Sequence, residues 1–109
     1  MITVNIVRDK SGFIWQYIVD GHAGYDEAGK DIICAAVTAV AYTGINALME
    51  LAGIKSYGLE NGYMICSVPT DISPELKEKV SIILETVAVG FKQLELSYGD
   101  YVTVLDEEV

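Results

Sequence analysis

The residues best suited to chemistry are His22, the only histidine in the chain, and Cys34, twelve positions later in the stretch GHAGYDEAGKDIICAAVTAV. A thiol becomes a strong nucleophile as its thiolate, and an imidazole is the side chain best matched to taking that proton near neutral pH. Asp31 is a good N-cap for the apolar run that follows it, because its carboxylate can accept a hydrogen bond from an unpaired amide of the first turn. With Asp31 as the cap, Cys34 occupies the third helical position, where backbone N–H groups have no intrahelical partner and the macrodipole stabilises negative charge. The same amides could hold the oxyanion of a tetrahedral intermediate. One strand end, one loop and one helix start would then supply base, nucleophile and oxyanion donors.

Each residue also has a structural reading. Spacing alone favours a packing role for Cys34 as a small apolar residue on an alanine-rich helix, and a single histidine at a strand end is often exposed or bonded to backbone. Asp31 can cap the helix or orient His22, and capping is the simpler role. Residues 20–30 contain Gly21, Gly24 and Gly29 together with Asp26 and Glu27, which reads as an exposed loop whose acids are solvated. Of the seven tyrosines only Tyr25, inside that loop, is placed to meet a ligand, and Gly24 and Gly29 would let the loop close over one. Cys66 lies in the apolar run Met64-Ile65-Cys66 and reads as core. One histidine and two cysteines separated by thirty-two residues match no zinc spacing, and there is no C-x-x-C pair, so neither a metal nor a redox cofactor is expected.

The elements that must position these groups follow from periodicity. Ile2, Val4 and Ile6 alternate with polar residues, the DKSG run at 9–12 makes a turn, and residues 13–19 return as a second strand. A helix from Asp31 to about Ala52 ends at Gly53. Its apolar stripe, Val37, Val40, Ala41, Leu48 and Leu51, is widened by Ala35, Ala39, Ile45 and Met49, so a second helix or a partner subunit should cover what a sheet cannot. Asn61-Gly62 joins strands at 57–60 and 63–68 in a hairpin. Ser73-Pro74-Glu75 opens a second helix, whose apolar spacing runs from Leu76 to Tyr98 with Gly99 as its stop, and residues 101–105 form a last strand. The order ββαββαβ predicts a two-layer α+β fold, a mainly antiparallel sheet packed with two long helices.

At 109 residues and 51% hydrophobic content the chain suits one domain, residues 1–109, with a real core. Seven basic against sixteen acidic side chains give a net charge of −9, which argues against direct nucleic-acid or anionic-membrane binding and would attract a basic partner. The apolar stretch Ile32 to Leu51 approaches membrane-spanning length but carries Thr38, Thr43, Asn46 and Glu50, and reads as a buried helix rather than a membrane span. Two cysteines and no secretory leader point to a reducing cytoplasm.

Gly21-His22-Ala23, a short glycine-bearing loop, then Asp31-Ile32-Ile33-Cys34-Ala35-Ala36-Val37 resemble the signature of the ribosomal-processing cysteine protease family, Prp. The likeness extends to the Met1-Ile2-Thr3-Val4 start and to the element order, essentially the whole chain. The resemblance implies a His22/Cys34 catalytic dyad, places the family's helix-start aspartate at Asp31, and requires no cofactor. It implies as substrate a ribosomal protein precursor, L twenty-seven of the large subunit, made with a short N-terminal extension that must be removed, and it implies a homodimer. Family members often carry a small residue shortly after the cysteine, where this chain reads Ala35-Ala36-Val37-Thr38. The rival expectation from another class is a noncatalytic dimeric ribosome-assembly factor in which both residues are structural.

Overall fold

The computed structural model describes residues 1–21, 28–55, 57–60 and 63–108. Its elements are β1 (Ile2–Arg8), β2 (Ile14–Gly21), α1 (Ala28–Ala52), β3 (Tyr57–Glu60), β4 (Tyr63–Ser67), α2 (Pro74–Ser97) and β5 (Val102–Glu108). The order is the expected ββαββαβ. The strands form one five-stranded sheet in the order β3-β4-β2-β1-β5, antiparallel at every junction except the parallel pair β1–β5. Both helices lie on one face, the two-layer α+β arrangement.

Local chemistry explains most boundaries. Asp9 accepts hydrogen bonds from the amides of Ser11 and Phe13 at 2.8 and 3.1 Å, and Gly12 takes a φ of +91°, which closes the β1–β2 turn. Gly53 has a φ of +68°, and its N–H donates to Met49 O at 3.1 Å, so α1 stops where a left-handed residue can end it. Ser73 caps α2, its Oγ accepting from Leu76 N at 3.2 Å, with Pro74 at the first helical position. The last turn of α2 ends at Ser97, and Tyr98 rather than Gly99 is its cap, bonding back to Leu94 O at 2.8 Å.

Three expectations need correction. The first helix begins at Ala28, not after Asp31. Ala28 and Lys30 are good helix formers, and Gly29 costs only about 1 kcal/mol, which a 25-residue helix absorbs. Of the loop expected over 20–30, Asp20 and Gly21 belong to β2 and 28–30 to α1, while 22–27 lie outside the described residues. Leu51, assigned to the buried stripe, is 60% exposed, because the stripe that meets the core runs through Ile33, Val37, Ala41, Ile45 and Leu48.

The core joins that stripe to Ile2, Val4, Ile6 and Tyr17 of the sheet and to Val80, Leu84, Val87, Ala88 and Phe91 of α2. Tyr17 crosses the layers. Its ring meets Phe91 edge-on at 5.5 Å between centroids, and its hydroxyl donates to Ala41 O at 2.6 Å, satisfying a polar group that is otherwise fully buried. Gly44 makes this possible, since a Cβ there would stand 2.6 Å from Tyr17 Oη and 2.8 Å from Val87 Cγ2. Gly90 similarly admits Val40.

The parallel strand β5 is held by charge as well as by its ladder. Arg8 on β1 bridges Glu85 of α2 at 2.6 Å and Asp106 of β5 at 2.7 Å, and Lys92 reaches Asp106 at 2.8 Å. Hydrogen bonds from Arg8, more than from Lys92, hold the Asp106 carboxyl down at about 2.

Two outcomes follow. Gly44→Ala should lower the unfolding free energy by about 1–3 kcal/mol in urea titration, because backbone or Tyr17 must shift to admit the methyl. The folded-state pKa of Asp106 lies below its unfolded value, so its stabilising contribution is complete above about pH 4 and is lost as pH falls towards 2. Asp106→Asn should flatten the fall in urea midpoint across that window relative to the parent chain.

Candidate active site

Ile33 and Val37 anchor the start of α1 in the core, and Cys34 sits between them, half-buried and packed against the apolar cluster. It is the seventh residue of α1 and lies in its second turn. In a regular helix its own N–H is then committed to the carbonyl four residues earlier. Within the helix the amides without intrahelical partners belong to residues 28–30, about 6–9 Å further along the axis. The expectation that Cys34 stands among free helix-start amides is therefore overturned. Helical Cα–Cβ bonds tilt towards the N-terminus, so the thiol still leans towards that end. The macrodipole, however, fades within the first turn and gives a weaker field at this position.

The other sequence-predicted residues divide into two groups. Asp31 is the fourth residue of α1, so it is not the N-cap of that helix, and Gly29 is the second residue rather than part of a loop. His22, Gly24 and Tyr25 lie outside the described residues. What the fold does place is the point from which the chain leaves for His22. Gly21 ends β2 opposite Ile2, at a φ of +94°, and a Cβ on it would collide with the Met1 carbonyl. That position was read only as part of a loop, although a glycine immediately before a histidine at a strand end is the signal a tight exit leaves.

The second thiol differs from Cys34. Cys66 on β4 pairs with Tyr17 across the sheet, is 1% exposed, and has its pKa pushed up to about 11 chiefly by burial. It packs in the core as expected and is chemically silent. Among the described residues no group of three or more His, Cys, Asp or Glu is placed to hold a metal ion.

A half-exposed thiol on a core-anchored helix, in a chain whose only histidine directly follows the last residue of β2, fits the class of thiol hydrolases. Comparison with known proteins narrows the class. Residues 1–103 match the family model of cysteine protease Prp. The ribosomal processing cysteine protease Prp of Bacillus subtilis is 33% identical over 107 residues, covering 95% of this chain and 96% of its own length. SMU.848 from Streptococcus mutans has the same fold with a TM-score of 0.87 and 31% identity, over 100% of this chain and 96% of that one. The essential ribosomal processing protease Prp from S. aureus, solved with a covalently linked product peptide, gives a TM-score of 0.75 and 27% identity over 98% of this chain and all of that one. The chain belongs to the cysteine protease Prp family, a family of peptide hydrolases.

In the folded protein only Cys34 should react with iodoacetamide, giving one modified thiol by intact mass, and Cys66 should react only after unfolding. Cys34→Ala should leave the native protein unmodified.

Proposed function

We propose that this chain is the cytoplasmic endopeptidase that removes the N-terminal extension from ribosomal protein L twenty-seven, with His22 and Cys34 as its catalytic dyad. The observation that carries the reading is the Gly21-His22-Ala23 and Asp31-to-Val37 signature, whose Gly21 ends β2 and whose Asp31-to-Val37 run lies in the first turns of α1. His22 takes the Cys34 proton, the thiolate attacks the scissile carbonyl, the C–N bond breaks with the proton passing to the leaving amine, and water then releases the acyl group. The amides of residues 28–30, rather than that of Cys34 itself, are the unpaired helix-start donors nearest in sequence to the developing oxyanion. Asp31, on the turn ahead of Cys34, is then a candidate to orient His22. Gly24 and Tyr25 belong to the segment that would close over the substrate and bring base and thiol into register, with Gly29 at the start of α1 where that segment ends. One domain carries the whole reaction, and a net charge of −9 favours capture of a basic ribosomal protein.

We further propose a homodimer joined through the outer faces of the helices. Ile32 and Met49 of α1 and Ile82 and Val89 of α2 are exposed, Ile82 at 70%. A groove of about 280 Å³ lined by Leu51, Lys79, Ile82 and Ile83 lies between the helices. Such an apolar surface is more than scattered exposure accounts for. The same excess makes α1 long and apolar enough to cross a membrane by length and composition, yet its inner stripe forms the core.

A peptide spanning the extension junction should be cleaved once by the parent protein, as followed by mass spectrometry. Cys34→Ala and His22→Ala should each lower kcat/KM by at least about a thousandfold while leaving the thermal midpoint near that of the parent. An intact peptide after prolonged incubation under reducing conditions would instead favour a binding role in ribosome assembly. Sedimentation equilibrium should report a dimer, and Ile82→Glu should shift it towards monomer.

A further inference from the structure

The sheet protects one of its edges and leaves the other open. At β5 the end of α2 occupies the outward amides: Val102 N–H donates to Tyr98 O at 3.0 Å, and Val104 N–H donates to Glu95 Oε2 at 2.6 Å. Donors on one side of a strand recur every second residue, so the next outward position is Asp106, where the chain turns acidic with Asp106-Glu107-Glu108. Capped amides and charge are the usual means of stopping another chain from pairing there. Among the described residues nothing comparable closes β3: it is the other edge strand of the sheet, and none of them bonds to its outer side.

The register decides what that edge faces. Glu60 stands opposite Tyr63, and Tyr63 opposite Asp20, so the end of β3 is level with the end of β2, one residue before Gly21. From there the chain passes to His22 and on to α1. With strands about 4.8 Å apart, a strand added beside β3 lies about 14 Å from β2 across the sheet, at the end from which the chain leaves for α1.

We propose that the peptide substrate docks by adding to this sheet as a sixth strand, paired with the free edge of β3. The inference rests on the reading that the chain cleaves a peptide, and it specifies how that peptide is held. Four residues of β3 present about 13 Å of unpaired backbone, enough for a like number of substrate residues. Main-chain hydrogen bonds then supply affinity whatever the side chains, and alternate side chains face opposite sides, which gives recognition a period of two.

The test uses the junction peptide with single N-methyl groups walked along its backbone, the scissile amide and its immediate neighbours left unmodified. N-methylation deletes one donor and bars close pairing. Strand addition predicts that kcat/KM falls by roughly tenfold or more at alternate positions and stays near the unmodified value between them. Amide exchange in residues 57–60 of the Cys34→Ala protein should also slow when unmodified peptide is added. Cleavage with a flat or aperiodic N-methyl profile, and no added protection at 57–60, overturns edge docking while leaving the protease reading intact. Protection at 57–60 that depends on protein concentration and not on peptide assigns the edge to a second copy and overturns the inference as well. Failure to cleave even the unmodified peptide removes the functional reading itself, and this inference with it.

Discussion

Tyr17 rises from β2 to touch both helices, meeting Ala41 of α1 and Phe91 of α2. Its hydroxyl must find a partner because burial leaves it no water, and the Ala41 carbonyl of α1 is that partner. Desolvation, before any other influence, holds the phenol far above its ordinary pKa, so it remains a donor at every working pH. Its ring fixes Phe91, and with it the height of α2 above the sheet. Gly44 is required at the crossing because hydroxyl and Val87 already fill the space a side chain would need. Together with the buried stripe of Ile33, Val37, Ile45 and Leu48, this contact sets the lateral position of α1, and therefore of Cys34.

The site inherits its precision from that packing. Cys34 is borne by a helix whose flanking residues Ile33 and Val37 are in the core, so its thiol rests on a rigid element. The exit of β2 is equally constrained, since Gly21 lies against the Met1 backbone and Ile2 is bonded through its N–H to Tyr101 O at 2.8 Å. Cys34 and the exit of the chain towards His22 thus belong to two elements, α1 and β2, that the core and the sheet ladder locate independently. The distribution of apolar surface follows from the same two-layer plan. A sheet covers only the inner stripe of each helix, and the outer residues of α1 and α2 remain apolar without being buried.

The edges of the sheet show how topology shapes access. β5 joins β1 in parallel, so the chain must return along the full length of α2 to reach it, and this brings Glu95 and Tyr98 beside the outer amides of β5. The ion cluster of Arg8, Glu85, Asp106 and Lys92 secures the far end of the same strand. No helix returns past β3, which follows α1 through a short connection and pairs only with β4. Protection of one edge and exposure of the other are consequences of the chain path.

Local signals were enough to read the element order, the Asp9 turn, the Gly53 stop, the Ser73-Pro74 start and the core role of Cys66. Each rests on a residue's own backbone preference or on a short periodicity. The pairing of His22 with Cys34 as a chemical unit came from a motif, since spacing alone equally allowed a packing cysteine. The start of α1 was not legible. Asp31 is a good cap in isolation, but helix propagation through Ala28 to Lys30 is decided cooperatively by a 25-residue helix anchored in the core. Nor could periodicity say which half of a broadly apolar α1 would turn inward, leaving Leu51 exposed and Ile45 buried. That choice, the parallel placement of β5 and the Tyr17–Gly44 crossing were settled only in three dimensions, because they depend on contacts between residues far apart in the chain, whose mutual fit no local pattern encodes.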